Sequence, residues 1–167
     1  MGDFYSEVLV KKKKTMLESV IRVAAIAVTA VTALLGLLGM PLILIVAVVM
    51  GVLCYLFLPR LDVEFEYIYV NGSMDVVRIY SKVKRKRAVS YEFSDMEILA
   101  PLKSHQLDSY RQNRNIKQVD FSSGMEDHKI YAMVIPKNKE LQMVLFEPDE
   151  GMLKDLRSKY PRKVFFD

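Results

Sequence analysis

The chain has one cysteine, Cys54, and no tryptophan. A single thiol forms no disulfide within the chain and supplies no cysteine-rich metal cage. Cys54 lies in an apolar stretch and reads as a small membrane residue. His105 and His128 are the only histidines. Asp108 and Asp127 lie near them, but no ligand spacing joins these residues into a metal site. There is no phosphate-cradling glycine loop, no dinucleotide fingerprint and no nucleophile elbow; "SSG" at Ser122–Gly124 reads as a turn. No cofactor is therefore expected. Ser104, His105 and Asp108 have the residue types of a hydrolytic triad. Sequence neighbours seldom let a base reach both nucleophile and acid, so this group reads as a helix start with Ser104 as its cap.

The largest absence is of charge. No Asp, Glu, Lys or Arg occurs from Val23 to Pro59. As one helix this run would reach about 55 Å, against a hydrocarbon thickness of about 30 Å. "GLLGMP", Gly36–Pro41, lies near its centre and favours a turn. The run therefore reads as a transmembrane hairpin over residues 16–59, with helices over about 16–38 and 41–58 and proline in a first helical position. It is too long for the apolar core of a cleaved secretory signal, about 7–15 residues. Without charge in the span there is no sign of an ion or proton pathway.

What flanks the run is basic. Lys11, Lys12, Lys13, Lys14 and Arg22 precede or open the first helix, and Arg60 follows the second. The positive-inside tendency then predicts a two-helix protein of the bacterial cell membrane with both termini cytoplasmic. Small residues recur inside: Ala24, Ala27, Ala30, Ala33, Gly36 and Gly39 at spacings of three, and Ala47 and Gly51 at four. Such residues let helix backbones approach. The plainer reading is packing of the hairpin against itself through Ala27, Gly36, Ala47 and Gly51. The sharper one is homo-oligomerisation or docking on another membrane protein.

Residues 1–15 read as a cytoplasmic N-terminal segment and residues 60–167 as a cytoplasmic domain. In the latter, "DVEFEYIYV" alternates as a strand does, with Val63, Phe65, Tyr67 and Tyr69 on one face. "NGS" at Asn71–Ser73 is a hairpin signal, and Met74–Tyr80 is the returning strand. Ala88–Phe93 and Met96–Pro101 read as further strands. An irregular polar connection over 102–115 follows, with room for a short helix. Three strands, at 118–121, 129–135 and 141–146, come next. The helix predicted at about 149–160 has acidic residues in its first turn, basic ones later, an apolar face and Pro161 as a stop. The last residues, "RKVFFD", either pack back or hang free. The order of four strands, a connection, three strands and a capping helix is that of a pleckstrin-homology-like fold. The predicted fold class is thus α+β: a transmembrane helical hairpin, then an antiparallel β-barrel of about seven strands capped by a helix.

Several segments carry a more specific likeness: "FEYIYVNGSMDVVRIYSKVKRKR", "MEILAPLKSHQLDSY", "VDFSSG" and "FEPDEGMLKDLRSKYPRKVF". Through them the chain resembles a family of small two-helix membrane proteins of unknown function in Gram-positive, clostridia-type bacteria, with a bacterial pleckstrin-homology-like domain at the C-terminus. The resemblance implies the architecture and no activity.

The net charge of +4 is divided evenly on either side of the apolar run, so neither part is a strongly basic body of the kind that binds nucleic acid. The surplus is local: Lys11–Lys14, and Lys82, Lys84, Arg85, Lys86 and Arg87. The second cluster has no interleaved aromatic rings on which bases would stack, and nucleic acid is not expected. It reads first as a solvated turn between strands and second as a contact for anionic lipid, where each basic residue contributes about 1 kcal/mol. Pleckstrin-homology domains that hold inositol phosphates carry their basic residues in the first strand and first hairpin loop; here that loop is "NGSMD". The expected function is a membrane-anchored, non-enzymatic adaptor that contacts membrane lipids and a protein partner. The alternative is an accessory subunit held by its transmembrane helices, and a Ser104–His105 hydrolase is a remote third.

Overall fold

The computed structural model describes residues 4–39 and 41–166. It divides into a helical unit and a β unit.

The helical unit holds α1 (Met16–Leu37) and α2 (Pro41–Phe57). A 3-10 turn, Leu58–Leu61, continues α2, and the spans Met16–Leu37 and Pro41–Leu61, of 22 and 21 residues, are long and apolar enough to cross a membrane. The Glu18 side chain accepts from the Thr15 backbone N–H at 3.0 Å, one arm of a capping box that starts α1. Gly39, with φ of +113°, makes the turn, a conformation that suits glycine. The helices approach closely at Gly36: a Cβ there would lie 2.8 Å from the Leu44 backbone. Gly36 and Ala47 are buried. Thr29 bonds the Ala25 carbonyl at 2.7 Å and lies 3.5 Å from the Cys54 sulfur. Ala27 is exposed and takes no part in this packing. A three-residue step turns about 300° around an α-helix, so a small-residue series at that spacing drifts off any one face. Outside the seam the helices expose apolar side chains such as Leu34, Leu42 and Val48.

The β unit has two four-stranded sheets. The first contains β1 (Tyr5–Lys11), β2 (Val63–Val70), β3 (Ser73–Tyr80) and β4 (Lys84–Glu92), in that order. The second, of β5 (Ile98–Pro101), β6 (Lys117–Asp120), β7 (Tyr131–Lys137) and β8 (Glu140–Phe146), is ordered β5-β7-β8-β6. Two features depart from the expectation. The sheets are separate and do not close into a barrel, and β6 joins β8 in parallel. An eighth strand, β1, arises from the N-terminal segment that reads in sequence as a mere flank. It pairs antiparallel with β2 from Tyr5↔Val70 to Lys11↔Glu64.

Register explains the burial. Ser6, Val8 and Val10 stand opposite Tyr69, Tyr67 and Phe65, so both sets face the core. Tyr67 meets Phe146, Tyr69 meets Phe93 and Phe65 meets Phe121, with ring centroids 5.9, 5.7 and 5.5 Å apart. These tilted contacts are the preferred geometry of aromatic pairs. The other face of the second sheet is also covered. Ile98, Ala100, Ala132, Val134, Met143 and Leu145 form a second cluster with Leu107 from the polar connection. Burial on both faces accounts for the unbroken apolar run in β7. That connection contains α3 (Asp108–Gln112).

The Asn71–Gly72 turn has both φ values positive, at 51° and 97°, as a two-residue primed turn requires. The final helix, α4 (Glu150–Lys159), is capped by Asp149, whose Oδ1 accepts from the Met152 N–H at 2.8 Å. Its Met152, Leu153 and Leu156 are buried. The Tyr69 hydroxyl donates to Asp155 at 2.5 Å. The last residues pack back: Leu99 N–H bonds the Lys163 carbonyl and Phe165 N–H bonds the Leu99 carbonyl, each at 2.8 Å. They cover the free edge of β5.

Candidate functional site

Only Lys82 of the basic cluster lies in the turn that its composition predicts. The turn is Ser81–Val83, with Ser81 and Lys82 at positive φ, and β4 begins at Lys84. Lys84, Arg85, Lys86 and Arg87 therefore form the first half of an edge strand, all exposed. Basic residues along a free edge discourage pairing with another chain.

Alternation along the strand separates the residues by type. Arg85 pairs with Glu66 at 3.3 Å, and the Glu66 side chain is only 4% exposed. Arg87 pairs with Asp75. The Ser90 hydroxyl, then Arg87, hold the Asp75 carboxyl below its usual range against partial burial. The two arginines thus neutralise carboxylates of neighbouring strands. Lys82, Lys84 and Lys86 have no acidic partner among the described residues, and they are the cations available to a ligand.

The residues that flank the helices divide similarly. Lys11 ends β1 opposite Glu64. Lys12 and Lys13 are exposed. Lys14 pairs with Asp62 at 3.4 Å. Arg60, in the turn after α2, lies over the Phe57 ring at 4.9 Å, a cation–π contact. Arg22 lines two shallow grooves of the helical unit, one with Cys54 and Tyr55, the other with Lys14 and Glu18. Of the four small residues expected to pack the helices, Gly36 and Ala47 do so at close quarters. Gly51 has room, since its Cβ would lie 4.0 Å from a Thr29 methyl.

Ser104 caps a short turn by accepting from the Gln106 N–H at 3.3 Å. His105 meets Asp108 at 3.2 Å with its side chain fully exposed. This is a helix start, as the plainer reading expects. The described residues contain no group of three His, Cys, Asp or Glu side chains able to hold a metal.

His128 belongs to a cluster that is not evident in the sequence. Its Nδ1 lies 2.7 Å from Glu147 Oε2 and 3.2 Å from Ser123 Oγ. The Ser123 N–H donates to the other Glu147 oxygen at 2.6 Å, and the Met125 N–H donates to Ser123 Oγ at 3.1 Å. Serine and glutamate meet the same ring nitrogen. A proton relay needs them on opposite nitrogens, so the cluster ties the 123–128 loop to the end of β8. The hydrogen bond to Glu147 raises the pKa of His128. The only sequence signal was a carboxylate closing the apolar run "MVLFE".

Two four-stranded sheets with a terminal helix, and an apolar helical pair inserted between their first two strands, define an α+β protein of the PH-like class. The chain belongs to the bacterial PH-like family: the model described as Bacterial PH-like domain (DUF6106) matches residues 2–166, the helices as well as the sheets. This agrees with the resemblance to bacterial PH-like proteins of unknown function. No curated protein and no solved structure matches the chain.

Proposed function

We propose that the chain is a membrane-anchored, non-enzymatic binding module. The α1–α2 hairpin crosses the bacterial cell membrane twice, and the β unit is held at the cytoplasmic face for a protein partner. Lys82, Lys84 and Lys86 steady it against anionic lipid.

The observation that carries this reading is the pairing of β1 with β2. The strand that enters the hairpin and the strand that leaves it are zipped together. An even number of crossings is the arrangement that keeps both in one compartment. The exposed apolar faces of both helices add support, since surfaces of that extent are stable in lipid and not in water. The flanking cations favour the cytoplasmic side. The accessory-subunit reading has less support, because Gly36 and Ala47 serve the hairpin itself.

The test is accessibility labelling in a Cys54→Ser background with a membrane-impermeant maleimide. Tyr5→Cys and Ser73→Cys should label in inverted vesicles and not in intact spheroplasts, and Leu38→Cys should do the reverse. Labelling of Tyr5→Cys and Ser73→Cys from opposite sides would refute the hairpin topology. In parallel, binding of the full chain in nanodiscs to anionic vesicles should fall with salt and on Lys82, Lys84 and Lys86→Gln. Binding indifferent to both removes the lipid contact from the proposal.

A further inference from the structure

The β unit contains a cavity of about 490 Å³, within the usual range for small-molecule sites. It is walled by the segment after β5, the loop entering β7, and Phe166. Leu102, Met125, Ile130 and Phe166 give it an apolar lining. Its charged residues are unbalanced, with Lys103, His128 and Lys129 against Glu126.

Two polar groups on the wall are free for a ligand. Glu147 engages His128 Nδ1 at 2.7 Å, which leaves Nε2 as the nitrogen without a partner among the described residues. Tyr131 is 5% exposed and lines the same cavity, and its hydroxyl has no partner among the described residues. Burial raises the pKa of that phenol, which keeps it a donor. The Glu147 hydrogen bond raises the pKa of His128, so the ring keeps its positive charge to higher pH than a free histidine. The His128 side chain is 43% exposed, so its free nitrogen and the Tyr131 hydroxyl are both open to an acceptor that enters the cavity.

We propose that this cavity binds a small organic carboxylate with an apolar body. The acid meets the free nitrogen of His128, the Lys129 ammonium and the Tyr131 hydroxyl. The body packs on Leu102, Met125, Ile130 and Phe166. Glu126 offsets one of the two lysines and Glu147 offsets the His128 ring when it is protonated, which suits a monoanion better than a dianionic phosphate. The cavity lies wholly within the β unit, so this inference does not depend on membrane insertion.

The probe is 4-phenylbutyrate, with 4-phenylbutanol as its neutral counterpart, titrated into the full chain in zwitterionic nanodiscs. The readout is the methionine methyl spectrum, with the Met125 signal identified by its loss in Met125→Leu. The carboxylate should shift that signal saturably and bind at least tenfold more tightly than the alcohol. His128→Gln and Lys129→Gln should each weaken it by about tenfold, as expected for loss of a charged hydrogen bond. Lys84→Gln should leave it unchanged. No saturable shift at Met125, equal binding of the alcohol, or unchanged affinity in the variants would each overturn the proposal. If His128→Gln fails to fold, Lys129→Gln decides, because that side chain is exposed.

Discussion

Gly36 sits where a side chain would collide with the backbone of Leu44, and a backbone cannot swing aside as a side-chain tip can. Gly36→Leu must therefore push α1 and α2 apart. Overpacking of this kind costs about 1–3 kcal/mol, and the unfolding midpoint of the chain in detergent should fall accordingly. Gly51→Ala, which gains only ordinary contact with Thr29, should stay near the parent value. Equal effects at the two positions would refute the packing described. His128 gives a second residue-scale prediction through pH. Its pKa is raised in the folded chain by Glu147, so the protonated form is favoured by folding. That stability is fully present below the ordinary histidine value of about 6.5. It is lost as pH rises through the folded value. The melting temperature should decline across that interval in the parent chain, and His128→Gln should flatten this part of the profile. A profile unchanged by the substitution would show that the Glu147 bond does not discriminate between the protonation states.

Among the elements, β4 now has two distinct explanations for its lysines. As an edge strand it would offer unpaired backbone to another chain, and Lys84 and Lys86 oppose that contact. Lys84→Val with Lys86→Val should raise self-association, seen by light scattering of the chain in nanodiscs. Lys84→Gln with Lys86→Gln should leave the chain dispersed while weakening its hold on anionic vesicles. If the valine variant stays dispersed, edge protection is not what these residues do. The strand's start is obscure in sequence because lysine is depleted in strands, whereas Glu66 and Asp75 support Arg85 and Arg87 only once the strands are side by side. β2 and β3 were legible from alternation and the Asn71–Gly72 turn, both local signals. β1 was not: Tyr5 and Leu9 face outward beside a lysine run, and its partner lies beyond the whole hairpin. Barrel closure is not legible for a related reason. Alternation tells which face is buried, but it does not say whether two sheets join at their edges or that β6 runs parallel to β8. The His128 cluster has no local signature, because Ser123, His128 and Glu147 meet only through tertiary folding.

At the scale of the whole molecule, the helices are an insertion in a β-hairpin. Lys11 and Glu64 face each other across β1 and β2, so the next residues of each strand, Lys12 and Val63, stand at the distance that a tight turn bridges. Replacing residues 13–62 by Asn-Gly, the two-residue link suited to antiparallel strands, should therefore yield a water-soluble β unit. All the buried core positions of the sheets and α4 lie outside the excised segment. A fragment of residues 60–167, although it contains seven of the eight strands, should fare worse. It leaves the edge of β2 unpaired and removes Val10, which faces Phe65 across the strands. Such an edge is an aggregation site. The comparison is direct: soluble yield and a cooperative thermal transition for the turn-linked chain, against aggregation of the fragment. If the fragment is equally soluble and equally stable, β1 is dispensable to the domain. The pairing of β1 with β2 would then be too weak to hold the two ends of the helical pair together.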